Sequence, residues 1–212
     1  MNQGNHNHVH EQTNQEDFSL DALRAGDRAE FSRVVDAYSG KLYRLALRML
    51  NQPQDAEDVL QDTFLKAFRH LDRFDGRSSL STWLYRILTN EALMVLRRKH
   101  PDMVSIDEPK ETADGETTPL QIVDWCCIPE VELMSSEVRD RLDKAVEHLP
   151  HSLRVVFLLR DIEGLSTNET AEVLGMSETA VKTRLSRARM RLREELTAYF
   201  GEYMKGKVYE SR

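Results

Sequence analysis

Residues 101–135 divide this chain before any periodicity is considered. They carry four prolines (Pro101, Pro109, Pro119, Pro129) and nine acids (Asp102, Asp107, Glu108, Glu111, Asp114, Glu116, Asp124, Glu130, Glu132) against one base, Lys110. Proline fixes φ and removes a backbone donor, and a dense run of like charge repels itself. The stretch therefore reads as a flexible acidic linker, and folding must happen on either side of it. The linker holds a net charge of −8 out of a total of −7, which leaves the rest of the chain at +1. An acidic whole thus conceals a near-neutral body with local basic patches.

Both flanks repeat apolar residues at three- and four-residue steps, the period of a helix, and no alternating strand pattern or internal repeat stands out. In the first flank Phe31, Val34, Val35 and Tyr38 form one stripe and Leu42, Leu45, Ala46, Met49 and Leu50 another. Pro53 interrupts. A third helix is expected from near Asp55 through Ala56, Val59, Leu60, Phe64, Ala67, Phe68 and Leu71. Asp72 to Ser81 is turn-rich around Asp75-Gly76, and a fourth helix runs from about Ser81 through Trp83, Leu84, Ile87, Leu88 and Leu93 to Arg98. In the second flank Val138, Leu142, Ala145, Val146 and Leu149 share a face up to Pro150, and Leu153 to Leu159 leads to Gly164. The expected organisation is a disordered polar tail (1–18), a helical domain (19–100), the linker (101–135), a second helical domain (136–200) and a C-terminal tail (201–212).

The second domain ends in the most specific pattern. Ser166 followed by Glu169 is a capping box, Gly175 suits a tight turn at positive φ, and Ser177 can cap a second helix. Along that helix Val181, Leu185, Ala188, Leu192 and Leu196 share one face, with Lys182, Arg184, Arg187, Arg191 and Arg193 off it. This is a helix-turn-helix, whose second helix can lie in a DNA major groove. Thr179, Thr183 and Ser186 add hydroxyls that suit phosphates and base edges. The fold class is all-α: two small helical domains joined by a flexible acidic linker, the second carrying a C-terminal helix-turn-helix.

Three stretches carry a resemblance to a known family. They are Asp55-Ala-Glu-Asp-Val-Leu-Gln-Asp-Thr-Phe64, Phe74-Asp-Gly-Arg-Ser-Ser-Leu-Ser-Thr-Trp-Leu-Tyr-Arg-Ile-Leu-Thr-Asn90, and Leu149-Pro-His-Ser-Leu-Arg-Val-Val-Phe157 leading into the helix-turn-helix. In this order they resemble the extracytoplasmic-function (group 4) sigma factors of bacterial RNA polymerase. The resemblance implies a sigma-2-like domain, a sigma-4-like domain, and three partners: core RNA polymerase, promoter DNA and an anti-sigma factor. By the same resemblance Asp55, Asp58, Gln61 and Asp62 dock on the polymerase. Asp75, Arg77, Ser79 and Leu80 form a loop that captures a flipped base of the −10 element, and Arg86 and Asn90 project from the helix behind it. Thr179, Lys182, Thr183, Arg184, Ser186 and Arg187 face the −35 element. Arg97, Arg98 and Lys99 add charge for duplex phosphates. Trp83 and Tyr85 are aromatic enough to stack on DNA, although Trp83 at helical spacing reads first as core. The linker is implied to thread the polymerase cleft.

Other classes find little support. There is no phosphate-binding glycine loop, His-Glu zinc motif or nucleophile elbow, so no enzyme is expected. A stand-alone DNA-binding regulator would leave the first two motifs unexplained. Adjacent Cys126 and Cys127, beside Trp125, cannot build a disulfide framework and read as ordinary thiols; His6, His8 and His10 read as part of a polar tail. No metal and no cofactor is expected. Without an apolar run of about 18 residues or an apolar leader segment, the chain is expected to stay in the cytoplasm without inserting in a membrane.

Overall fold

The computed structural model describes residues 18–99 and 136–209, with side chains over 18–99 and 141–197. The acidic segment with its two cysteines and the N-terminal histidines lie outside the described residues. Within those residues the chain is helical and contains no strand.

The first unit begins with α1 (Leu20–Arg24), one turn capped by Ser19, whose hydroxyl accepts from the Ala22 N–H at 3.3 Å. Asp27 caps α2 (Arg28–Leu50) through the N–H groups of Ala29 and Glu30, and Asn51 closes it at φ 54°. The next helix, α3, spans Pro53–His70. Pro53 therefore starts this helix ahead of the expected Asp55. Its missing N–H falls where a helix has an orphan donor anyway, and its fixed φ is already helical. A 3₁₀ turn (Leu71–Arg73) leads through a loop to α4 (Leu80–Lys99). Leu42, Leu45, Ala46, Met49, Ala56, Val59, Leu84 and Leu88 are all buried where α2, α3 and α4 meet. Phe68, expected to face inward, is 39% exposed beside Phe31, at 5.0 Å between ring centroids.

The second unit comprises α5 (Ser136–His148), α6 (His151–Phe157), α7 (Thr167–Leu174) and α8 (Glu178–Tyr209). Between α6 and α7 the chain widens into a π turn at Leu158–Ile162, closed by the Glu163 N–H on Leu158 O at 2.9 Å. Asp161 then pairs bidentately with Arg189 of α8, at 2.9 and 2.7 Å. Val156, Leu158, Leu159, Val173, Val181, Ala188 and Leu192 form the core.

The two units pack against each other, α4 on α7 and α2 on α6. Tyr85, 6% exposed, donates its hydroxyl to Glu163 Oε2 at 2.7 Å, and Thr82 Oγ1 donates to Glu169 Oε1 at 3.4 Å. Burial raises the Tyr85 phenol well above its ordinary range, and the Glu163 carboxylate raises it further, so it stays a donor. Arg154 spans the junction. This buried guanidinium donates to Leu149 O at 3.1 Å, to Glu147 O, and across to Met49 O at the end of α2 at 3.4 Å. It thus satisfies carbonyls that helix ends leave without partners. Desolvation lowers its pKa, with the Glu147 charge acting the other way.

Arg154→Met keeps an unbranched side chain but strands these carbonyls. Thermal denaturation should show a loss of about 1–3 kcal/mol, the cost of a buried polar group left unpaired. An unchanged melting temperature would mean that water replaces the guanidinium.

Candidate nucleic-acid interface

The helix-turn-helix spans α7 and the start of α8. Ser166 and Glu169 make the reciprocal capping box: the Glu169 N–H donates to Ser166 Oγ at 3.2 Å and the Ser166 N–H to Glu169 Oε2 at 2.8 Å. Gly175 takes φ 62°, where a Cβ would be strained, and Ser177 Oγ accepts from the Ala180 N–H at 3.2 Å. Val181, Leu185, Ala188 and Leu192 are buried, which aims the opposite side of α8 at solvent. On that side Thr179, Lys182, Thr183, Ser186 and Arg187 are exposed together. Lys182 approaches Glu178 at 3.8 Å, and the Thr183 hydroxyl donates back to Thr179 O at 2.9 Å. Arg184 differs. It is half-buried at the flank and turns back toward the Met176 sulfur at 3.3 Å. Met190, 50% exposed one turn beyond Ser186, joins the face. The sequence reading passed over it, although its four-residue step from Ser186 was visible.

In the first unit the loop from Phe74 to Ser79 stands between two anchors. At its entry Phe74 is buried against Trp83, at 5.2 Å between centroids. At its exit the Thr82 N–H donates to Ser79 Oγ at 3.1 Å. Between them Gly76 sits at φ 78°, and Asp75 accepts from the Arg77 N–H at 3.1 Å and pairs with its guanidinium at 2.6 Å. That backbone hydrogen bond, with the Arg77 charge, lowers the Asp75 pKa. Asp75, Arg77 and Ser79 are exposed and Leu80 is half-buried. Along α4, Arg86, Asn90 and Arg97 are exposed on one side, with Met94 (49% exposed) among them. Trp83 is half-buried against Phe74, in keeping with a packing role. Tyr85 is held against Glu163 and is not free to stack on DNA in this arrangement.

On α3, Asp58, Gln61 and Asp62 are exposed and aligned. Asp55 lies to one side, half-buried and paired with Lys99 of α4; Lys66 likewise pairs with Glu91 at 2.5 Å. A groove of about 520 Å³ between α3 and the end of α4 is lined by Asp55, Asp58, Asp62, Arg98 and Lys99. Leu65, 47% exposed, continues the Asp58–Asp62 face, with Phe68 at its flank. Helical spacing from Asp58 and Asp62 could have placed Leu65 there, but an apolar residue in an amphipathic helix is read first as core.

The sequence comparisons divide the chain in the same way. Residues 34–101 match the family described as sigma-70 region 2, and residues 139–192 match sigma-70, region 4. The ECF RNA polymerase sigma factor SigW of Bacillus subtilis is 37% identical over 174 residues, 82% of this chain and 92% of the relative. This chain belongs to the extracytoplasmic-function sigma factors of the sigma-70 family. The RNA polymerase sigma-H factor of Pseudomonas aeruginosa is 33% identical over 80% of this chain and 88% of its own length. Among solved structures, CnrH in complex with the cytosolic domain of CnrY aligns at TM-score 0.60 and 26% identity, covering 84% of this chain and 95% of that one. The sigma factor RpoE bound to the anti-sigma factor NepR from Bartonella quintana aligns at 0.59 and 27%, covering 79% and 97%. The sigma factor is thus all-α with a region 2 unit and a region 4 unit. No helix among its described residues is long and apolar enough to cross a membrane.

The capping box gives a pH test. The Ser166 N–H on its carboxylate, then the Ser166 hydroxyl, hold Glu169 below the ordinary 4.5. A lowered folded-state pKa stabilises fully above the unfolded value and is lost as pH falls through the folded one. Wild type should therefore exceed Glu169→Ala in melting temperature near neutrality, and the gap should narrow as pH drops below about 4.5. A gap constant down to strong acid would mean that the carboxylate charge contributes nothing.

Proposed function

We propose that this sigma factor docks on core RNA polymerase through the exposed α3 face of Asp58, Gln61 and Asp62, extended by Leu65. It reads the −35 element with Thr179, Lys182, Thr183, Ser186 and Arg187 of α8, Arg184 lying at the edge. It captures a −10 base in the loop carrying Asp75, Arg77, Ser79 and Leu80, with Arg86 and Asn90 on the adjoining duplex. The protein itself catalyses no reaction; the polymerase supplies the chemistry, in the cytoplasm where promoter DNA lies. An anti-sigma factor holds it in check, as the RpoE complex with NepR suggests by analogy. The observation that carries the reading is the exposure of two polar, basic helix faces, one on each unit, beside a separate acidic and apolar face on α3.

Packing distances add a requirement. The −10 and −35 elements lie about 25 base pairs apart, roughly 85 Å at about 3.4 Å per base pair. In the packed molecule Thr82, in the first turn behind the −10 loop, is one hydrogen bond from the helix-turn-helix. One rigid closed form cannot reach both elements, so the units must part on the polymerase. The contact suits parting: the buried hydroxyls of Thr89 on α4 and Thr170 on α7 have no hydrogen-bond partner among the described residues. Tyr85→Phe removes the bond to Glu163 and should shift labels on the two units toward larger separation by energy transfer. No shift would mean that Tyr85 does not help hold the closed form.

The decisive experiment mixes the protein with bacterial core polymerase and measures complex formation and initiation at a candidate promoter, beginning with its own. Asp62→Arg should weaken core binding at least tenfold while duplex binding by the second unit persists. Arg187→Ala should do the reverse. Loss of core binding in Arg187→Ala, or unchanged core affinity in Asp62→Arg, would contradict this division of roles. Duplex binding without any affinity for core would favour a stand-alone regulator.

A further inference from the structure

The −10 loop is held from a part of the chain that none of the matching motifs contains. Arg24, the last residue of α1, donates through both Nε and Nη2 to the carbonyl oxygen of Phe74, at 3.0 and 2.8 Å. Phe74 is the residue immediately before Asp75. The same Nη2 lies 3.8 Å from where a Cβ on Gly76 would stand, so the guanidinium sits against the loop as well as beneath its root. We propose that Arg24 is a positioning residue for the base-capturing loop, fixing its entry so that Asp75, Arg77 and Ser79 are preset before a base arrives. This rests on the reading of the 74–80 loop as the site of base capture.

Three observations support the inference. First, α1 is too short to be stable alone, and its contacts serve to locate its end. Leu23 is buried, the Ser19 N–H donates to Glu30 of α2 at 2.7 Å, and Phe18 packs on Tyr38 at 6.1 Å. What α1 then presents to the 3₁₀ turn and loop is Arg24. Second, the loop has little else at its entry. Its exit is capped by Ser79; at the entry the Phe74 N–H donates to Leu71 O at 3.1 Å and its ring packs on Trp83, but neither of these holds the Phe74 carbonyl that leads into Asp75. Two donors converging on one carbonyl oxygen restrict that peptide's rotation more than one donor would. Third, Arg24 is spent on this carbonyl. Its nearest acid, Asp21, is 3.9 Å away with its side chain 99% exposed, a pair worth little in water. A flipped base must find its pocket walls already in place, or the cost of ordering them is taken from the binding of that base.

The test uses the holoenzyme assembled on bacterial core polymerase and a promoter whose non-template −10 strand carries a single abasic site, moved base by base. The wild type should have a position where the abasic site lowers initiation by roughly tenfold, the worth of one bound base. In Arg24→Ala that sensitivity should fall to about twofold or less, with core affinity and −35 duplex binding within about twofold of wild type. Arg24→Lys should be intermediate, because an ammonium can serve the carbonyl without the fixed two-donor geometry. Arg77→Ala, within the loop, should abolish the sensitivity too. If Arg77→Ala abolishes it and Arg24→Ala keeps it, Arg24 does not position the loop. If Arg24→Ala loses core affinity in step, its role is general stability and the proposal falls. If wild type shows no sensitive position, the loop does not capture a base, and the fault lies with that reading.

Discussion

Helix α4 has no spare side, and most of the architecture follows from how its circumference is divided. Leu84 and Leu88 bury one face in the core with α2 and α3. Thr82 and Tyr85 turn a second face toward the region 4 unit, and the buried Thr89 follows four residues further along the same side. Arg86, Asn90, Met94 and Arg97 keep a third in solvent. A period of 3.6 residues lets one helix carry three such stripes only if none is wide. The polar members of the second stripe, Thr82 and Tyr85, hydrogen-bond across to the region 4 unit.

The closed form leaves both proposed DNA faces exposed. What it restricts is their separation, which differs physically from a covered site. A covered site is regained by removing the cover. Two exposed sites held too close together are regained only by rotating one unit away, and the unpartnered hydroxyls of Thr89 and Thr170 lower the cost of doing so. Arg154 works the other way. Its guanidinium ties Met49 O to the end of α5, and an arginine head can exchange that one carbonyl for water while keeping Glu147 O and Leu149 O. The junction therefore has a donor that serves either arrangement.

The helix-turn-helix was legible because its signals are local. A capping box, a glycine at positive φ and a three-to-four spacing each act within one turn of chain. Ser166, Glu169, Gly175 and Ser177 fold as their order predicts. The all-helical class and the buried stripes were legible for the same reason. The packing of Tyr85 was not legible because it depends on Glu163 in the other unit, and no pattern near Tyr85 encodes that partner. Phe68 was placed inward by the rule that apolar residues on an amphipathic helix face the core, and the same rule gave no reason to single out Leu65 on the outer side, where both are exposed. Arg154 sits in an apolar run, where a cation is read as an interruption until its carbonyl partners are seen.

Arg24 is the hardest case and the most instructive. Its neighbours in sequence suggest a surface arginine in a short helix beside an acid, which is an ordinary solvated pair. Its partner is a backbone carbonyl fifty positions away, and carbonyls carry no side-chain signal that a sequence can display. A loop that must hold a base needs walls set beforehand, and a backbone hydrogen bond from outside the loop does this without occupying the pocket. The reading face of such a site is written in its own motif. The residue that holds the motif still can lie in any element that packs behind it, and here that element is the shortest α-helix among the described residues.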